Sequence, residues 1–376
     1  MQNTTPITSI GTGSIAPSLE GGDSPRLGIG LDVGDRCSQA CVMTTGDGVL
    51  QRVQLASTPA GVRLAFANFP RARVGLEAGG HSTWMAPLLK ELGHEVYVLN
   101  PRRLKGISAS HKKNDINDAE FIAHLILFKP EWLWPVRHRG GDARKTLVLL
   151  SARDKLVRTR TGLISHVRGH VKTTGKRLAG CGTENFHQFA ENLPEELAPI
   201  LKSMVELIGR VTEEIEKYDQ QLADLFAESP EAGFLEQVPG VGKVTALAFS
   251  AILEDPNRFP NGRSVGSFLG LAQAQDDSGD TKKQKGISKA GSSMLRRLLV
   301  QCAHVTLRES APDSDLKRWG MMLAEAGGKR GKKRAVVALA RKLAVLLWTL
   351  WRTEATYEPL REAKRRAQKA AQTPSA

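Results

Sequence analysis

Four acidic residues in the first third of the chain have the types and surroundings that oxygen-ligated metal chemistry requires. Asp115 and Asp118 lie three apart in "HKKNDINDAE", where the apolar helical pattern "AEFIAHLIL" begins. That spacing puts both carboxylates on one face of a helix's first turn, where the helix dipole also favours them. Asp32 sits inside the apolar strand pattern "GIGLDVG", a costly place for a charge unless a cation or hydrogen bonds compensate it. Glu77 ends a second apolar strand, "ARVGLEAGG", whose glycines would let a ligand approach the backbone. Together they form the hard oxygen-donor set that Mg²⁺ prefers, and two such ions ~3.5–4 Å apart can activate a nucleophile and stabilise the leaving oxygen in phosphoryl transfer.

The elements that must position these acids follow from the apolar pattern. Residues 1–25 are rich in Ser, Thr, Gly and Pro and read as a disordered leader. From there to residue 143, "LGIGLDV", "SQACVMTT", "GVLQRVQLA", "ARVGLEA" and "HEVYVLN" read as strands and "STWMAPLLKELG" as a helix. Three early strands, then strand, helix, strand and helix, describe an α/β domain with a mixed sheet. Residues 144–232 read as a helical or coiled-coil domain, 233–358 as a mostly helical domain, and 359–376 as a basic tail.

Charge is segregated along the middle of the chain. Residues 101–177 hold 18 Lys/Arg against 6 Asp/Glu, whereas 184–237 hold 3 against 13. The basic part is expected to lie along a polyanion, with Lys112, Lys113, Arg153, Lys155, Arg158, Arg160, Arg168 and Lys172 as its contacts. In the acidic part, Met204, Ile208, Val211, Ile215, Tyr218, Leu222 and Leu225 form a heptad seam, which fits an intramolecular antiparallel hairpin and a dimer contact equally well.

Two further features suit a nucleic-acid partner. In "VPGVGKVTA", Pro239, Gly240 and Gly242 make a tight turn opening a helix at Lys243, so its free N–H groups can meet a phosphate. This turn resembles the helix-hairpin-helix motif of DNA-binding proteins. Beyond it, "AQAQDDSGDTKKQKGISKAG" reads as a long polar loop, carrying Ser278, Ser288, Lys282, Lys283, Lys285 and Lys289, with Arg296 and Arg297 just after it.

Composition narrows the class. With 376 residues, 41% of them hydrophobic, the chain can bury two or three cores, and its net charge of +14 favours a polyanionic partner. No apolar run approaches ~18 residues and no signal-peptide pattern is present, so a cytoplasmic location, nucleoid-associated when bound to DNA, is expected. Cys37, Cys41, Cys181 and Cys302 lack zinc-ribbon spacing and read as reduced structural thiols.

Taken in order, "GLDVG", "GLEAGG", "KNDINDAE", "VPGVGKVTA", "RFPNGRSVGSFLGL", "DSG" and "GISKAGSSMLRRLLVQCA" resemble the DEDD transposases of bacterial insertion sequences. The specific resemblance is to the family numbered one hundred and ten, which includes the Piv DNA invertase. It implies an RNase H-like domain similar to the RuvC resolvase, followed by a transposase domain with a catalytic serine. Asp32, Glu77, Asp115 and Asp118 would be the Mg²⁺-binding acidic tetrad, and Ser278 the nucleophile forming a 5′-phosphoserine intermediate. The resemblance also implies a structured guide RNA, donor and target DNA as partners, and a homo-oligomer. The chain departs from many relatives in "GLAQAQDDSG", where a proline and a second serine are missing, and Ser288 stands as the competing serine. Two other classes stay open on residues alone. "GIGLDVG" also looks like a phosphate loop of sugar kinases and actin-like ATPases, although no second "DxGGG"-like loop follows. A resolvase-like nuclease, or a non-catalytic nucleic-acid binder, would share the basic middle without a working serine.

Overall fold

Alternating glycine and branched apolar residues build the centre of a five-stranded sheet. The computed structural model describes residues 27–46, 48–67, 69–101, 104, 115–128, 133, 135–278, 281–328 and 331–365, with the backbone alone at 115–117, 128, 190, 275–278 and 281–284. The leader, Lys112, Lys113 and the end of the basic tail lie outside the described residues. The chain divides into two compact units between His138 and Arg139.

In the first unit the sheet order is β3-β2-β1-β4-β5. Strands β1 (Leu27–Asp32), β2 (Cys37–Thr44) and β3 (Gly48–Ala56) pair antiparallel, whereas β4 (Arg73–Glu77) and β5 (Glu95–Leu99) join β1 in parallel. The mixed order confirms the expected RNase H-like arrangement. Helix α1 (Pro59–Phe66), absent from the sequence reading, starts at Thr58, whose Oγ1 accepts the Gly61 N–H at 3.1 Å. Its proline-containing first turn masked the apolar pair Val62 and Phe66 that it buries. With α2 (Ser82–Glu91), α1 covers one sheet face, packing Val62, Phe66, Met85 and Leu89 onto Ile29, Leu31, Val74 and Leu76.

The other face is covered by α3 (Asp115–Phe128), and glycines decide how closely. Ala119, Ala123 and Leu127 pack over Cys41 and Met43, while Ile122 and Ile126 pack with Leu99. A Cβ on Gly75 would come within 2.7 Å of Ile126 and 2.8 Å of Ile122, and one on Gly30 would strike the Ala119 carbonyl and the Ala123 N–H. Gly75 therefore serves helix packing; the expected ligand access stays at Gly79 and Gly80, which face open space. Gly30→Ala should destabilise the first unit by about 1–3 kcal/mol, because backbone atoms of α3 cannot rotate away as a side chain can. A lowered urea midpoint for that unit's unfolding transition is the check; an unchanged midpoint would mean α3 docks less tightly.

His94 is 5% exposed, stacks edge-on against Phe66 and has no hydrogen-bond partner for either ring nitrogen among the described residues. Burial holds its pKa below the usual imidazole value. The unfolded chain thus takes up a proton that the folded unit resists, so stability is full above pH ~6.5 and declines as pH falls below it. Thermal midpoints between pH 7.5 and 5.5 should fall less steeply in His94→Phe than in the native protein.

The second unit is helical apart from one two-stranded ribbon. Helices α4 (Gly141–Thr173) and α5 (Ala198–Ala227) form an antiparallel hairpin, since Arg153 meets Asp219 and Arg160 meets Thr212 as the two chains run in opposite directions. The heptad residues of α5 thus find an intramolecular partner. The fully buried column is Leu201, Val205, Ile208, Thr212, Ile215 and Leu222, with Met204, Val211, Tyr218 and Leu225 half-buried beside it. At one end the hairpin makes its own core with Phe186 and Leu193. At the other, Leu150 and Leu222 join the core of α6 (Pro230–Glu236), α7 (Lys243–Leu253), α8 (Gly262–Phe268), α9 (Ser293–Thr306), α10 (Asp315–Ala326) and α11 (Gly331–Thr353). No helix among the described residues is long and apolar enough to cross a membrane.

The segment expected to be a polar loop is instead an antiparallel ribbon, β6 (Gln273–Ser278) and β7 (Thr281–Ile287). Its lysine-rich composition disguised it, because strands without alternating apolar residues carry no period-two signal. The ribbon base is seated where Gly270 and Gly291, at φ 68° and 65°, pass too close to neighbouring backbone for any side chain.

Candidate active site

Two of the predicted acids end adjacent strands at the carboxy-terminal edge of the first unit's sheet. Leu31 and Leu76 are register partners on β1 and β4, so the residues that follow, Asp32 and Glu77, end adjacent strands side by side. Strand alternation gives their face. Gly28 and Gly30 lie against α3, so Asp32, two further on, emerges on that side; Gly75 does the same for Glu77. Leu127 lies over Gly28 and Ala119 over Gly30, which shows that α3 runs back along β1 towards Asp32. Its first turn, Asp115 to Asp118, therefore reaches the level of the two strand acids. Asp32, Glu77 and Asp118 are each half-buried, and the Asp115 side chain is among those not described.

A neighbouring acid shows what is excluded. Glu120 is committed to Arg52, Oε2 to Nη2 at 2.6 Å, and belongs to the outer surface of α3 rather than to the cluster. The predicted ligands are all carboxylates, which suits a hard divalent cation better than zinc, which takes nitrogen or sulfur. Among the described residues no three His, Cys, Asp or Glu side chains are already gathered around a single point, so the fit rests on donor type and shared face.

A family model described as Transposase, of the DEDD type, matches residues 29–175, and one described as Transposase IS116/IS110/IS902 family matches residues 232–317. The transposase for insertion sequence element IS1111A of Coxiella burnetii is 31% identical over 88% of this chain and 90% of its own length. The chain belongs to the IS110/IS116/IS902 transposase family. A probable family 20 transposase of Pseudomonas aeruginosa is 30% identical over 88% of this chain and 98% of its own length. The pilin gene-inverting protein of Moraxella lacunata is 28% identical over 70% and 75%. The transposase is thus an enzyme of DNA transposition, and the kinase reading of "GIGLDVG" falls away. A DEDD-type domain also suggests dependence on a divalent metal.

In the second unit of the transposase, Ser278 ends β6 opposite Thr281, at the turn end of the ribbon. Asp277 faces Lys282 and Asp276 faces Lys283 across the two strands, so acids and bases occupy partnered positions that a loop reading could not reveal. Lys285 and Lys289 are exposed, and Lys289 adopts a left-handed φ of 54° while its N–H bonds the Gly270 carbonyl at 3.1 Å. Ser292, not Ser288, caps α9, and Ser288 closes the ribbon base through its N–H to Ala272 O at 2.9 Å.

Several basic residues expected to hold phosphates turn out to tie the second unit together. Arg160 is 9% exposed and bonds Thr212 and Thr183 inside the hairpin, so it is withdrawn from any polyanion. Arg153 grips Asp219, and Arg168 bonds the Ala179 carbonyl and stacks over Phe186. Arg296 donates to the carbonyls of Leu269 and Gly291 and locks the ribbon base. Arg158 and Arg297 share Asp154 but remain partly exposed, a pairing worth little in water and readily exchanged for phosphate. Lys155 and Lys172 are exposed along α4. Composition counted all these charges alike; burial separated them. At the Pro239–Lys243 turn, Gly240 takes φ 91° and Gly242 begins α7 without a side-chain cap, while Lys243 lies over the Phe226 ring at 5.5 Å.

The sequence reading missed His81, Trp84 and Asp35 at the same sheet edge. His81 precedes α2 and its Nε2 stands 3.6 Å from the Asp35 carboxylate, while the Trp84 indole N–H donates to its Nδ1 at 3.2 Å. The i, i+3 spacing of His81 and Trp84 was the available signal.

Proposed function

We propose that this transposase cleaves and rejoins DNA strands through Mg²⁺ held by Asp32, Glu77, Asp115 and Asp118, with Ser278 as nucleophile. The observation that carries the reading is the arrival of the two strand ends and the first turn of α3 at one level on one sheet face. Such a cluster of like charges is unfavourable alone and is relieved by a divalent cation. When bound, Mg²⁺ supplies Lewis-acid polarisation of the scissile phosphate and charge stabilisation of the departing 3′ oxygen. Half-burial of the acids lowers the local dielectric and strengthens their hold on a cation. Ser278 forms the Oγ–P bond of a 5′-phosphoserine as the P–O3′ bond breaks, and the proton that its hydroxyl gives up is matched by the one that the departing 3′ oxygen takes, so protons balance over the step. Reversal of this transesterification on a second strand rejoins DNA without ATP, since bond energy is kept in the phosphoserine. Exchange between two duplexes needs at least two such sites and hence an oligomer. A structured guide RNA fits the exposed Lys155 and Lys172 along α4, with Arg158 beside them.

The test is incubation of the full-length protein with DNA spanning the ends of its element, with and without its adjacent non-coding transcript. Metal-dependent strand cleavage with a protein–DNA species stable to denaturation is expected. Nicking with no covalent species would favour a resolvase-like nuclease.

A further inference from the structure

His81 stands where the loops leaving β1 and β4 meet, three residues after Asp32 joining Asp35 and four after Glu77 joining His81. Both loops are held firmly. Ser82 Oγ accepts from the Gly79 N–H at 3.0 Å and donates to the Gly79 carbonyl at 2.7 Å, and Thr83 Oγ1 donates to Gly80 O at 2.9 Å. Across the gap, Ser57 Oγ donates to Gly34 O at 2.7 Å and the Ser57 N–H to Arg36 O at 2.9 Å. An indole N–H can only donate, so the Nδ1 that receives it from Trp84 carries no proton. The nitrogen of this imidazole that can donate is therefore Nε2, which stands 3.6 Å from the Asp35 carboxylate. The His81 side chain is 30% exposed, and its present neighbour, Asp35, is 96% exposed and can leave at little cost.

We propose that His81 is a substrate-positioning residue whose Nε2–H donates to a non-bridging oxygen of the phosphate flanking the scissile one, with the Asp35 carboxylate as its loose neighbour until DNA arrives. The inference rests on the reading of this edge as the DNA-cleaving site. A rigid, tautomer-locked donor loses little entropy on binding, which is what fixing a strand in register over the carboxylates requires. Its loop follows β4 and meets the one that follows β1, so it serves a phosphate beside the reacting one and leaves that one to the acids.

The experiment pairs two measurements on the full-length protein. Long-range ¹⁵N spectra of histidine-labelled protein, assigned by the signal lost in both His81→Phe and His81→Gln, should show the Nε2–H tautomer; an Nδ1–H tautomer would overturn the proposal, and either variant alone suffices for the assignment if the other fails to fold. DNA binding is then measured with single methylphosphonates placed at each phosphate around the cut. In the native protein one flanking substitution should weaken binding about tenfold, the loss expected for one hydrogen bond to a charged group. His81→Phe should show that loss on unmodified DNA and no further loss at that one phosphate, and His81→Gln should recover part of it. Equal penalties in both proteins at every phosphate would refute the contact. Native protein that binds with this pattern yet never cleaves in Mg²⁺ would refute the cleavage reading and leave the contact standing.

Discussion

Asp118→Asn is expected to abolish DNA strand cleavage while DNA binding stays close to native, and Asp32→Asn should do the same. Both changes conserve volume and remove one anionic donor from an edge built by two strand ends and one helix turn. A divalent cation supplies several kcal/mol of charge stabilisation to phosphoryl transfer, so loss of its hold should slow cleavage by about 10³-fold or more. The fold should not suffer, because neither residue belongs to an apolar core. Glu120→Gln is the internal control: it also neutralises an acid on α3 but only breaks a surface pair with Arg52, and cleavage should persist. Native cleavage that continues in excess chelator would end the metal reading outright.

The second large effect is expected at the ribbon. Ser278→Ala should eliminate the covalent protein–DNA adduct, and Ser288→Ala should leave it. Ser278 closes β6 at the turn end, two residues beyond Asp276 and in register with Thr281. Ser288 instead belongs to the base, where its N–H holds Ala272 and its Oγ accepts from the Ala290 N–H at 3.5 Å. Loss of that hydroxyl loosens the ribbon's seat slightly, so a modest fall in yield is the most that should follow. Denaturing electrophoresis of end-labelled substrate, with peptide mapping of the trapped species, decides the matter. An adduct surviving in Ser278→Ala but lost in Ser288→Ala would move the nucleophile to the base, and one surviving both would remove serine attack from either position.

The candidate acids at 32 and 77 stand out in the sequence because charge in or at the end of an apolar strand goes against local preference, and those at 115 and 118 because their spacing puts them on one face of a helix's first turn. The same holds for the succession of strands along the first unit and its mixed sheet, which period-two patterning announces, and for the heptad pattern of α5, whereas the spatial order of the strands came from the tertiary structure. Other features depended on what lies across space. Gly30 and Gly75 look like ligand-access glycines until α3 is seen against them, since nothing local says which neighbour fills the missing Cβ. The ribbon of β6 and β7 is held by cross-strand backbone bonds and by the close approach of Gly270 and Gly291 to surrounding backbone, none of which leaves a hydrophobic pattern. The arginines divide most sharply. Sequence determined that the middle of this transposase is basic, but only tertiary packing decided that Arg160 is sealed against Thr212 while Lys155 faces water, because a guanidinium's role is set by the acceptors within its reach rather than by its charge.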